Sequence, residues 1–271
     1  MTTQADQRAH QPARRVLVTG ASSGIGAATA TLLAERGWYV LAVARRKDKL
    51  DELATHPQID SYVCDITHDD EVAALASWVE QGGGLDVLIN NAGGAIGMDS
   101  VEGGSIDEWR WMYEINVLGT KRMISTFLPM LRKAADSSGG ADILTVTSTA
   151  GFTPYEGGGG YNAAKYAAHA MMQVLRLELN GEPIRVIDIA PGMVKTDEFA
   201  LNRFRGDSAR SQSVYANVDR PLLAEDVALT IASALELPAH VNLDLVTVKP
   251  VAQSAQHKTH RGPLRTKPSD A

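Results

Sequence analysis

Tyr161 and Lys165 stand four residues apart in YNAAK, inside a helix-patterned run over 160–179. On a helix that spacing puts both side chains on one face. A free tyrosine, with a pKa of about 10, is a poor proton donor or acceptor at neutral pH. A neighbouring ammonium favours the phenolate and draws that pKa toward a useful range. The pair therefore reads as an acid–base device, with an exposed helix pair as the plainer alternative. Of the seven tyrosines, only Tyr161 is followed by a lysine four residues later. Ser148 closes the apolar run 143–147, and a hydroxyl there can hydrogen-bond a reacting carbonyl or alcohol oxygen. Asn116 falls mid-helix, an unfavourable place for Asn unless it serves some purpose.

A second group of residues has the chemistry of phosphate binding. The run RRVLVTG passes into ASSGIGAATATLLAERG, with Gly20, Gly24 and Gly26 at the turn from strand to helix. Glycines at that point permit a tight turn and let backbone amides approach a pyrophosphate at a helix N-terminus. The spacing is GxxxGxG rather than the more familiar GxGxxG. The second strand ends in Ala44, Arg45, Arg46 and Lys47, with no carboxylate before Asp48. A carboxylate would accept from the 2′-hydroxyl of NAD, whereas a guanidinium attracts and can chelate a 2′-phosphate. This favours NADP(H) over NAD(H), with a solvated helix start as the plainer reading of the two arginines.

The elements that must position these groups alternate in type. Apolar, β-branched runs lie at 15–18, 39–44, 60–64, 87–90, 143–147, 185–189 and 243–248. Helix-patterned segments lie at 24–36, 47–55, 69–81, 105–132, 160–179 and 224–235. Short strands that are nearly all apolar belong in a sheet covered on both faces. Strict alternation predicts an α/β fold: a single Rossmann-like domain with a doubly wound parallel sheet of about seven strands and helices on both faces. Residues 196–221 interrupt the rhythm with charges and aromatics, and read as a lid or substrate loop. The domain is expected over 15–256. A flexible segment (1–14) precedes it, and a flexible basic tail (257–271) with Lys258, Arg261, Arg265 and Lys267 follows.

Composition narrows the class. Of 271 residues, 44% are hydrophobic and 21% charged, with a formal net charge of −6. Wholesale disorder, collagen and a disulfide scaffold are excluded. A mildly acidic chain is a poor nucleic-acid partner, and no apolar run approaches the roughly 20 residues of a membrane span. The polar start has no apolar segment of a secretory signal, and the single cysteine, Cys64, rules out an intrachain disulfide. A cytoplasmic home is expected, with Cys64 as core filling. None of the seven histidines falls in an HExxH or HxH pattern, so no metal site is expected.

Taken in order, these segments resemble the short-chain dehydrogenase/reductase family from about residue 15 to 256. Residues 19–26 (TGASSGIG) are similar to its TGxxxGxG cofactor loop, which implies cofactor contacts from Thr19, Gly20, Ser22, Ser23, Gly24, Ile25 and Gly26. Residues 90–93 (NNAG) look like its NNAG segment, implicating Asn91, Ala92 and Gly93. Asp65 and Ile66 occupy the place of its adenine-facing acidic position. Pro191, Gly192, Val194 and Thr196 resemble the PGxxxT segment at the nicotinamide end. Asn116, Ser148, Tyr161 and Lys165 match its four catalytic positions; the likeness selects Ser148 over Thr147 and Thr149. What the resemblance implies is reversible hydride transfer to or from a small alcohol or carbonyl. Tyr161 moves the proton, Lys165 tunes it and holds the ribose, Ser148 orients the substrate, and the Asn116 backbone holds a water leading from Lys165 to solvent. It also implies a homo-oligomer, tetramer or dimer, packed through the long helices and C-terminal segment.

The C-terminal half is similar to one branch in particular. PYEGGGGYNAAK, EFALNRFRGD and LPAHVNLDLVTVKPVAQ resemble the branch of NADP-dependent 3-hydroxy acid dehydrogenases that act on serine and allo-threonine. Arg203 and Arg205 sit in its lid loop, and a guanidinium on a closing lid suits a substrate carboxylate. Arg203 is the first candidate; the alternative is that these arginines pin the loop to Asp207 or to another subunit. Ala190 and the glycine run 157–160 depart from the branch pattern. A 3-oxoacyl-thioester reductase, a secondary-metabolite carbonyl reductase and a non-catalytic NADP-binding sensor are the competing readings. The sensor is disfavoured because Tyr161 and Lys165 are both present.

Overall fold

A computed structural model describes residues 14–196 and 198–266. In the first half, β1 (Arg15–Thr19), α1 (Gly24–Glu35), β2 (Tyr39–Ala44), α2 (Lys47–Leu53), β3 (Ile59–Val63), α3 (Asp69–Gln81) and β4 (Val87–Asn90) alternate. Then come α4 (Ile106–Tyr113), a π-helical turn (Glu114–Leu118), α5 (Gly119–Ser138), β5 (Ala141–Val146), α6 (Gly159–Glu178) and β6 (Ile184–Pro191). The chain closes with α7 (Phe199–Arg203), α8 (Ser208–Tyr215), α9 (Ala224–Leu235), β7 (Leu245–Val248) and a small hairpin of β8 (Gln253–Ala255) and β9 (Lys258–Thr259).

The seven-stranded sheet has the order β3-β2-β1-β4-β5-β6-β7, and its strand pairs are all parallel. Successive side chains of a strand face opposite sides of the sheet. In β1, Leu17 therefore joins the core under α5 and α6, with Phe127, Leu131 and Met172. Val16 and Val18 join the other core under α1 and α9, with Leu33, Val227 and Ile231. A strand covered on both faces has no polar side to show, which is why these runs read as continuously apolar.

Strand order reverses between β1 and β4, and open α/β sheets bind ligands in the crevice at that point. The two strand ends are tied by Thr19. Its hydroxyl donates to the Ile89 carbonyl (3.3 Å) and accepts the Asn91 and Ala92 amides, each at 3.0 Å.

The expected helix over 105–132 differs in two ways. It is interrupted by the π-turn and runs on to Ser138, where Gly139 takes up a left-handed conformation (φ 81°) and ends it. The 196–221 segment is not structureless, since it contains α7 and α8. Residues 257–266, read from sequence as a tail, lie against that segment. The Gly262 amide donates to the Asn217 carbonyl (2.6 Å) and the Leu264 amide to Asp219 (3.0 Å), while Arg261 bonds the Ala216 carbonyl. Lys267 and the 1–13 part of the expected N-terminal segment lie outside the described residues. Among the described residues no helix is long and apolar enough to cross a membrane.

Candidate active site

The glycine turn between β1 and α1 is shaped by close approach. Gly20 and Gly24 have φ of 67° and 52°, a region that L side chains rarely enter. A Cβ on Gly26 would lie 2.3 Å from the Gly20 carbonyl oxygen and 2.5 Å from Asn91 Nδ2. The Asn91 amide donates to the Thr19 carbonyl (2.9 Å) and so seats the turn on the end of β4. Gly26→Ala is expected to cost about 1–3 kcal/mol in stability and to abolish nucleotide binding, because backbone must move to admit the methyl. Thermal unfolding and a nucleotide titration check this; an unchanged Tm with intact binding would show that the turn relaxes freely.

From this turn a groove of about 1640 Å³ runs along the C-terminal ends of the strands. It is larger than the roughly 300–1,000 Å³ of a typical small-ligand pocket, as a dinucleotide with a substrate requires. At one end it is walled by Ser22, Ser23, Gly24, Ile25, Arg45, Arg46, Asp65 and Ile66. In the middle lie Asn91, Ala92 and Gly93, and at the other end Ser148, Tyr161, Lys165, Pro191, Gly192, Val194 and Thr196. Thr19, Gly26 and Asn116 do not face it; they are buried behind the wall and hold it in shape. The fit to a dinucleotide rests on the cradle that Gly20, Gly24 and Gly26 keep open. It rests also on Thr196, whose buried Oγ1 has no partner among the described residues.

At the cationic end the two arginines differ. Arg46 donates through Nε and Nη2 to Ser22 Oγ (3.3 and 3.0 Å) and through Nη1 to Glu198 Oε1 (2.5 Å). Arg45 is 63% exposed at its side chain and leans on Asp65 at 3.5 Å. Burial works against ionisation of Asp65. The Thr67 amide and hydroxyl, together with Arg45, outweigh it and hold the carboxyl below the usual range.

At the other end, Tyr161 and Lys165 share a face of α6 as their spacing predicts, and both are buried. Their electrostatics differ from the sequence expectation. Burial pushes the Tyr161 phenol well above its ordinary range, and Tyr155 adds to this; Ser148 and Arg203 are the groups that pull it down. Burial also draws Lys165 down to about 8, against the opposing pull of Asp188. Lys165 Nζ donates to the Val146 carbonyl (3.2 Å) and lies 5.8 Å from the Tyr161 ring centre. Desolvation is thus the dominant influence on both groups. Ser148 accepts the Ala150 amide at 3.1 Å, which turns the chain at the end of β5 and holds the hydroxyl beside Tyr161.

Asn116 sits in the π-turn, the helix irregularity most often met at functional sites. Its amide donates to the Gly94 and Met112 carbonyls, both at 2.8 Å, and its Oδ1 accepts the Gly94 amide (3.3 Å). The side chain therefore clamps the strand-end loop over Lys165. Gly93 leaves just enough room, since a Cβ there would lie 2.6 Å from Asn116 Oδ1. Behind Lys165 lies a pair that no sequence motif marked. Asp188 is 1% exposed on β6, accepts from Thr147 Oγ1 and lies 2.6 Å from His169 Nδ1. Its only signal was an aspartate in the middle of an apolar strand.

Over this end lies the 196–221 segment. Phe199 packs edge-on against Tyr161, with ring centres 5.8 Å apart. Arg203 is 5% exposed, with its guanidinium carbon 5.1 Å from the Tyr161 ring centre and 5.7 Å from that of Tyr155. Nη2 makes one long bond to the Gly157 carbonyl (3.4 Å), and buried Nη1 has no partner among the described residues. Arg205 does pin the loop, but not to Asp207. It donates to Glu108 (2.8 and 2.7 Å) and Asp99 (2.5 Å), while Asp207 caps α8 by accepting the Arg210 amide.

Among the described residues no group of three or more His, Cys, Asp or Glu side chains is placed to hold a metal ion. Cys64 lies just past β3, 2% exposed, and burial pushes its thiol up to about 12.

The comparisons with known proteins agree with this geometry. The sequence model of the family described as short chain dehydrogenase matches residues 14–203. The chain is 46% identical over 252 residues to an uncharacterized oxidoreductase of Mycobacterium tuberculosis, covering 93% of this chain and 97% of that protein. It is 35% identical over 242 residues to the NADP-dependent 3-hydroxy acid dehydrogenase YdfG of Escherichia coli, covering 88% and 96%. A solved structure described as the closed form of serine dehydrogenase complexed with NADP+ superposes with a TM-score of 0.84 at 32% identity, covering 91% of this chain and 99% of that one. The likeness to these relatives runs almost end to end, this chain's own groove is turned by glycines and ends on a buried tyrosine and lysine, and the chain belongs to the short-chain dehydrogenase/reductase family, NAD(P)-dependent oxidoreductases that interconvert CH–OH and C=O.

Proposed function

We propose that the protein uses NADP(H) to interconvert a small 3-hydroxy acid and its 3-oxo form. The observation that carries the substrate class is Arg203. A buried guanidinium with an unsatisfied N–H is costly unless an anion completes it, and this one lies over the face of Tyr161. A carboxylate paired there would set the carbon two bonds away near the Tyr161 hydroxyl. The names of the similar E. coli dehydrogenase and of the solved serine dehydrogenase support the same reading.

When bound, the nicotinamide supplies or accepts the hydride. Arg46 and Ser22 are the groups to hold a 2′-phosphate, and the open amides at the start of α1 suit the pyrophosphate. Thr196, Pro191, Gly192 and Val194 form the wall that would hold the nicotinamide end. Tyr161 gives its proton to the forming alkoxide on reduction and takes it back on oxidation. Ser148 donates to the same oxygen and fixes its place. Lys165, drawn down to about 8, exchanges a proton at neutral pH and so reloads the phenol. Phe199 and Tyr155 keep water from the reacting centre.

Arg203→Ala is expected to raise KM for a 3-hydroxy acid and to spare an uncharged secondary alcohol of similar size. The loss should be about 1.5–3 kcal/mol in kcat/KM, the worth of a charged hydrogen bond. Equal losses on both substrates would reduce Arg203 to a support of the loop and remove the case for a carboxylate. A homo-oligomer and a cytoplasmic home are part of the proposal. Tyr166, Val174 and Leu177 expose apolar surface along one side of α6, which a second subunit would cover.

A further inference from the structure

We propose that Glu198 competes with the cofactor's 2′-phosphate for Arg46, so that filling the phosphate site is felt directly by the segment covering the substrate. The inference rests on the reading of Arg46 and Ser22 as the phosphate holders. The carboxylate of Glu198 is bound as a phosphate would be. One oxygen takes Arg46 Nη1 at 2.5 Å, and the other accepts from Ser23 Oγ at 2.9 Å. Guanidinium and hydroxyl both belong to the cofactor end of the groove, on α2's approach and the glycine turn. Glu198 lines the same groove but comes from the segment over its other end, 152 residues from Arg46 in sequence.

The pair is built to be exchanged. Both side chains are 41% exposed, and exposed ion pairs are weak. A phosphate monoester carries more charge than a carboxylate and more acceptor oxygens, so it takes the guanidinium when both compete. Two anions on one guanidinium then repel, and Glu198 must leave. It stands immediately before α7, whose first residue, Phe199, packs on Tyr161 and whose last, Arg203, lies over the same ring. One short helix therefore links the phosphate site to the acid–base. NAD(H), without the phosphate, leaves the Arg46–Glu198 bond in place. The device costs affinity for NADP(H) and makes the covering segment sensitive to which nucleotide is present.

The test compares adenosine 2′,5′-bisphosphate with 5′-AMP by calorimetry on the intact protein, since the two differ only in the 2′-phosphate. Glu198→Gln keeps size and the Ser23 contact while removing the charge. It is expected to tighten bisphosphate binding about 3–10-fold and to leave 5′-AMP within about twofold. In the unaltered protein, amide hydrogen exchange over 199–203 should rise with the bisphosphate and stay unchanged with 5′-AMP. Weaker bisphosphate binding in Glu198→Gln would overturn the proposal, because Glu198 would then be holding Arg46 in position. An equal change with both ligands would also overturn it. A clear preference of the unaltered protein for the bisphosphate, with no gain in the variant, overturns this inference alone. No preference in the unaltered protein overturns the phosphate reading of Arg46 as well.

Discussion

Tyr161→Phe should bind NADP(H) as the unaltered protein does and turn over roughly 10²–10⁴-fold more slowly, the usual value of a positioned acid–base group. The ring is buried between Phe199 and Arg203 and keeps that packing in phenylalanine. The lost atom is the one that Ser148 addresses and the only phenolic oxygen with Lys165 on the same helix face. The groups proposed to hold the nucleotide, namely the glycine turn, Arg46, Lys165 and Thr196, all keep their side chains in this variant. Binding and turnover therefore separate, and fluorescence titration beside steady-state kinetics measures each. Near-full activity on a verified substrate would remove Tyr161 as the proton donor.

Arg46→Asp should reverse or flatten the preference for NADP(H) over NAD(H). Removing a charged hydrogen bond costs about 1.5–3 kcal/mol, and a carboxylate in its place adds repulsion. Together these amount to roughly 10²–10³-fold in the ratio of affinities. Asp also accepts from a ribose 2′-hydroxyl, so NAD(H) gains while NADP(H) loses. The same change at Arg45 should do less. From sequence Arg45 is the residue whose change should reverse the preference, but it is turned to solvent beside Asp65, whereas Arg46 is bonded to Ser22 in the glycine turn. Equal affinity of the unaltered protein for both nucleotides would remove the premise.

What the chain determines by itself is what short-range rules govern. Strands buried on both faces must be largely apolar, so the central strands were legible as runs, and the part-exposed edge strands β3 and β7 carry polar residues among their apolar ones. The 19–26 turn is a local conformation that only glycine enters easily, and Tyr161 and Lys165 share a face through helical pitch alone. The π-turn at Glu114–Leu118 left no mark on the periodicity, because one extra residue in a turn hardly alters it; only Asn116 in mid-helix hinted at an irregularity.

Tertiary structure decided the rest. Glu198 meets Arg46 and Arg205 meets Glu108 across 152 and 97 residues, and single charges in a loop have no period to announce their partners. Asp188 gains His169 and Thr147 only when β6 is laid beside β5 and under α6. The balance on Tyr161 was decided there too. An i,i+4 lysine predicts a lowered phenol, yet burial raises the phenol and lowers the lysine, penalising the charged form of each. Spacing is a property of the chain, whereas desolvation depends on everything packed around the pair, and it was the packing that set the direction in which each group shifts.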